Sequence, residues 1–105
     1  MKHFISVDIF ELKEQIQGAF AAFMQTENLT VAYTDMKAGA EIPLHNHVEE
    51  ALDIILEGEL EMQIGDNTGV LRRGMFSSVP SDIPHKARAL TDCKVITVFN
   101  PKRRF

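Results

Sequence analysis

Along the second half of the chain the apolar positions come in short runs separated by Gly, Pro, Asn and Asp about every ten residues. The runs are Leu52 to Leu56, Leu60 to Ile64, Val70-Leu71, Phe76 to Val79, Lys86 to Leu90 and Val95 to Phe99. This is the punctuation of a β-sandwich or barrel. Leu60-Glu61-Met62-Gln63-Ile64 alternates strictly, as a strand with one buried face does. Gly58-Glu59 and Gly65-Asp66-Asn67-Thr68-Gly69 supply turns, the second a strong hairpin signal. The first half is more ambiguous. Ile9, Leu12, Ile16, Ala19, Phe20 and Phe23 recur at roughly helical spacing, but Gly18 interrupts them. Thr26-Glu27-Asn28 then reads as a turn into Leu29 to Thr34, which is rich in strand formers. The pattern predicts an all-β fold with a short helical turn before Gly18 and strands on both sides of the 26–28 turn. Phe4, Phe10, Phe20, Phe23, Phe76 and Phe99, with Met24, Met36, Met62 and Met75, are expected to line the core.

Composition narrows the class. The chain has 105 residues, 45% hydrophobic and 25% charged, which suits one globular domain spanning 1–105. Fifteen acids against eleven Lys and Arg give a net charge of −4, and the only basic cluster is Lys102-Arg103-Arg104. A nucleic-acid partner is therefore not expected, because tracking phosphates needs an excess of cations. The single Cys93 cannot close an intrachain disulfide, so it is expected to be a structural thiol in a reducing cytoplasm. No signal peptide or membrane span is expected from the N-terminal residues or from the rest of the chain. His3 reads as a tail residue.

Three of the four histidines form a pattern. His45 and His47 are two apart, so on a strand both project to one face while Asn46 points away. His85 lies far downstream beside Pro84. Three neutral imidazoles with open positions suit a divalent transition metal, and Zn, Ni, Fe, Mn and Cu all remain open.

The surroundings carry a family resemblance. Gly39 to His47, followed by Glu49-Glu50 and by Gly58, resembles the first signature of the cupins. Gly74 to Pro80, followed by Pro84-His85, resembles the second. The resemblance implies a double-stranded β-helix, the cupin jelly-roll barrel, with His45, His47 and His85 as metal ligands in its mouth. Ala51 stands where the family usually has a glutamate or glutamine ligand, and Asp82 where the second signature has a glycine. Glu50 or Asp53 is a candidate replacement ligand, although Glu49 and Glu50 also suit a solvated loop. Val98-Phe99-Asn100-Pro101-Lys102-Arg103 resembles the ending of the pectin-degradation cupins, which help linearise unsaturated uronates. Thr97 stands where that group has an aspartate.

These features imply a small-molecule ligand, a sugar or sugar acid, and isomerisation or ring opening. Arg103 is a candidate grip for a carboxylate and Asp53 a second candidate catalytic residue. A non-catalytic binding protein and a metal-dependent dioxygenase are the alternatives. A homodimer is expected, through pairing of N-terminal strands in which Ile5, Val7 and Ile9 alternate with Ser6 and Asp8.

Overall fold

The computed structural model describes residues 3–105. Met1 and Lys2, the start of the N-terminal segment in which no signal peptide is expected, lie outside the described residues. A 3-10 turn at Val7–Ile9 is followed by ten strands: β1 Lys13–Ile16, β2 Ala19–Gln25, β3 Thr30–Met36, β4 Glu41–His45, β5 Glu50–Glu57, β6 Leu60–Ile64, β7 Asn67–Leu71, β8 Phe76–Val79, β9 His85–Ala89 and β10 Cys93–Asn100. They form two antiparallel sheets, β1-β2-β3-β10-β5-β8 and β4-β9-β6-β7, packed as a jelly roll. No helix among the described residues is long and apolar enough to cross a membrane.

The helical spacing between Asp8 and Phe23 does not produce a helix beyond the Val7–Ile9 turn. Gly18 takes φ +82°, a conformation a helix interior forbids, and it turns β1 back onto β2. Pairing with β3 then selects the period of two, which buries Ala19 and Ala21. The 3-10 turn also takes Val7 and Ile9 out of extended conformation, so the alternating N-terminal strand expected for dimerisation is not formed here. The other turns follow the sequence. Thr26 closes the β2–β3 hairpin, its amide donating to Leu29 O at 2.8 Å. Gly65 (φ +55°) and Asp66 connect β6 to β7.

Between the sheets, Met36, Ile55, Val79, Cys93 and Val95 are almost fully buried, and Leu60, Met62, Leu71 and Phe99 complete the core. Full burial of a side chain of this size contributes about 1.5–3 kcal/mol. The expected aromatic core is largely wrong. Of those phenylalanines only Phe99 is buried, and Phe4 (93% exposed), Phe23 (39%), Phe76 (63%) and Met75 (45%) are open to solvent. Strand parity explains part of this. Phe20, Met24 and Phe76 alternate with inward-facing neighbours and so lie on the outer face of the larger sheet.

Inward positions toward one end of the barrel are small: Ala19, Ala21, Ala32, Ala51 and Ala87. Alanines cannot fill the space between the sheets, and a cavity of about 320 Å³ remains there.

Candidate metal centre

His45 ends β4 and stands directly opposite His85, the first residue of β9. His47 follows in the loop, where its carbonyl accepts the Asp82 amide at 2.8 Å. Asp82 holds φ +62°, so it occupies the left-handed conformation for which a glycine would be expected. The ring centroids lie 4.2 Å (His45–His85), 4.8 Å (His47–His85) and 5.4 Å (His45–His47) apart. One ligating atom from each residue falls within 4.8 Å of the others.

Each imidazole is fixed in the same way. Nδ1 lies 2.8 Å from a backbone carbonyl two residues away: Pro43 O for His45, Glu49 O for His47 and Ile83 O for His85. A carbonyl only accepts, so Nδ1 carries the proton and the Nε2 lone pair is left for a ligand. This is the orientation that backbone partners impose on metal-binding histidines. His85 is 6% exposed, and burial pushes its pKa below the ordinary 6.5, helped by the neighbouring His45 and His47. The Ile83 carbonyl and Asp53 oppose this shift. His85 is thus held in the uncharged form, the one whose Nε2 lone pair could take a metal.

A pH dependence follows. As pH falls below about 6.5 the unfolded chain takes up a proton at His85 before the folded one does, so stability present above that value is lost on acidification. Urea midpoints of metal-stripped protein are expected to fall between pH 7.5 and pH 5.5, and to fall less in His85→Gln. Equal slopes in the two proteins would contradict the assignment.

Asp53 lines the same cavity but is not part of the three-histidine cluster. Its oxygens accept from Ser77 Oγ at 2.9 Å and Thr97 Oγ1 at 2.7 Å, the residues paired with it on β8 and β10. Glu50 has the opposite parity from Ala51, points outward and accepts from Asn100 Nδ2 at 3.2 Å. It does not join the cluster. Ala51 does line the cavity, where it presents only a methyl group.

Arg103 also lines the cavity. Its backbone ties the tail to the barrel, the amide donating to Thr30 Oγ1 at 2.8 Å and the carbonyl accepting from Gln25 Nε2 at 2.9 Å. The guanidinium carbon stands 4.9 Å from the Phe99 ring centroid, and Nε is 3.6 Å from Glu49 Oε1. Glu49 is the residue that sequence reasoning undervalued. Rather than a solvated loop acid, it is half-buried between Arg103 and His47, whose Nδ1 is 3.8 Å away. The buried Oε1 makes no hydrogen bond, and the cation beside it at ion-pair distance is the Arg103 guanidinium. Its place two residues after His47 was the only available signal.

Comparison with known proteins agrees with this architecture. The family profile described as "Cupin domain" matches residues 32–99. An RmlC-like cupin from Shewanella frigidimarina superposes with a TM-score of 0.91 at 24% identity, over 99% of this chain and 95% of that one. KdgF from a Halomonas species superposes with a TM-score of 0.91 at 22% identity, over 98% and 96%. An uncharacterized protein of Streptomyces coelicolor is 26% identical over 85 residues, 80% of this chain and 81% of that one.

Proposed function

The chain belongs to the cupin-domain family, and on that premise we propose that it holds a divalent transition metal on His45, His47 and His85 and acts on a carboxylate-bearing sugar acid, by isomerisation or ring opening. The observation that carries the reading is the shared orientation of the three imidazoles, each Nδ1 engaged by a carbonyl and each Nε2 free. The donor set fits a borderline metal, and such an ion when bound supplies Lewis-acid polarisation of a carbonyl or enol oxygen.

The rest of the work falls to the chain's own side chains. Glu49 occupies the Nε side of Arg103, and no hydrogen bond among the described residues engages the terminal guanidinium nitrogens. That edge is free to take a ligand carboxylate in a forked contact. Asp53, held by two hydroxyls on neighbouring strands, is an acceptor for a ligand hydroxyl or a proton. Met62, Phe99 and the alanines wall the cavity and limit water. A non-catalytic binding role is the second reading, and it is favoured by Ala51 and Thr97, which leave a methyl group and a hydroxyl where the resemblance implies a metal-binding side chain and a carboxylate.

The test is metal analysis of protein purified without added metal, followed by calorimetric titration with galacturonate-type and neutral sugars. Near-stoichiometric metal and binding of the uronate are expected. Arg103→Ala should weaken uronate binding by roughly ten- to a hundredfold, the value of a charge-assisted contact, and leave neutral sugars unaffected. Equal loss for both sugars, or no uronate binding by the metal-loaded parent, would overturn the sugar-acid assignment. Binding without turnover would move the weight to the non-catalytic reading.

A further inference from the structure

The polar and apolar linings of the cavity are segregated by depth. On β3 the inward positions are Thr30, Ala32, Thr34 and Met36, and strand pairing extends each of them into a row across the larger sheet. The Thr30 row carries Phe99, against which His47 and the Arg103 guanidinium stand. In the next row Ala32 pairs with Thr97, whose hydroxyl donates to Asp53. His45 and His85 cluster with His47, so the imidazoles, the guanidinium and the carboxylate all gather at these two levels.

Below them the chemistry changes. The Thr34 row holds Ala21 and Val95, and the Met36 row holds Ala19. The facing sheet contributes Ile42 and Ala87, which pair with each other beyond His45 and His85. All of these residues line the cavity, and Thr34 carries the one hydroxyl among them. Larger aliphatic side chains at Ala19, Ala21 and Ala87 would fill this floor. Alanine leaves instead a space whose cost to the fold grows with its volume. Water does not offset that cost, since an ordered water needs about two to four polar partners and the floor offers the Thr34 hydroxyl. The guest that does offset it is an apolar group, which gains both by leaving water and by contact with the walls.

We propose that this floor is a second subsite, which takes the apolar end of the ligand. The ligand is then an amphipathic carboxylate, with its oxygens at the level of Arg103 and the histidines and its hydrocarbon below Asp53. The inference rests on the seating of a carboxylate at Arg103 proposed above. For a sugar acid, the hydrocarbon is an alkyl or aryl substituent on the end away from the carboxylate, and a bare uronate leaves the floor unfilled.

The probes are straight-chain carboxylates from butanoate to decanoate, titrated calorimetrically into the metal-loaded protein. Affinity is expected to rise about fourfold with each methylene that enters the floor and then to level off. Ala21→Val and Ala87→Val each add two inward carbons, one variant on each sheet, and should bring the plateau about two carbons earlier. A ligand-free arm uses the unaltered protein and decides together with chain length should neither variant fold. Benzene added to metal-free protein should shift the methyl resonances of Ala19 and Ala21 through the field of its ring, and leave in place that of Ala22, which faces outward. Affinity independent of chain length, a plateau unmoved in the folded variants, or no benzene shift at Ala21 would each overturn the subsite. No binding of any carboxylate sinks the Arg103 seating and this proposal with it. A chain-length dependence in a protein that binds no uronate supports the subsite and overturns the sugar-acid reading alone.

Discussion

Replacement of His85 with alanine is expected to remove tight metal binding and leave the barrel standing. His85 is the most buried of the three imidazoles and faces both others, at 4.2 and 4.8 Å between ring centroids. Without it the remaining pair offers two nitrogens. Loss of a supporting partner of a ligand typically costs ten- to a hundredfold in metal affinity, so loss of the ligand itself should cost at least about a hundredfold. The fold should tolerate the change because the ring borders an existing cavity rather than filling the packed end of the core. Two measurements check this. Metal content after dialysis should fall to background, and the rise in melting temperature that added Zn²⁺ or Ni²⁺ gives the parent should vanish while the metal-free melts nearly coincide. Retention of stoichiometric metal by the variant would sink the three-histidine site.

What the sequence disclosed depended on whether the deciding interaction was local. The hairpin at Gly65-Asp66 and the alternation of Leu60 to Ile64 are local, and both appear as expected. His-x-His spacing is also local, and it placed two imidazoles together. The approach of His85 came from the cupin resemblance, and physically it is made by a β4–β9 register that no short window contains. Phe20, Met24 and Phe76 were misplaced for a related reason. Hydrophobicity alone says that a side chain avoids water, and parity decides which face it takes. When both faces of a sheet are apolar, as Leu52 to Ile55 show, the inside cannot be told from the outside along one strand. Glu49 was undervalued because its partner, Arg103, is more than fifty residues away in sequence and reaches it only after the tail docks on Thr30 and Gln25.

Gly58→Ala is expected to be the most destabilising single-methyl change in the chain. Gly58 sits between β5 and β6 with φ +86°, where an alanine costs roughly 1–2 kcal/mol from its own backbone conformation. The larger cost is contact. A Cβ at this position would lie 2.1 Å from the Asp92 carbonyl oxygen and 2.9 Å from both Cys93 Sγ and Thr91 Oγ1. The nearest atom is backbone, so it cannot swing aside as a flexible side chain would. It also belongs to the turn between β9 and β10, which is tied to this one: the Glu59 amide donates to Thr91 Oγ1 at 3.0 Å and the Leu90 amide to Glu59 O at 2.9 Å. Moving the turns apart breaks those bonds and loosens Cys93, among the most buried core residues. Together these should remove about 3 kcal/mol or more, a melting-temperature loss of about 12 °C or more for a domain of this size. Gly74→Ala is the control. Gly74 has φ +83° but nothing within 4 Å of its would-be Cβ, so it reports the backbone cost alone. Thermal melts of the two variants should differ by at least the clash. Equal losses would mean that the two turns separate freely and that Gly58 is required for its conformation only.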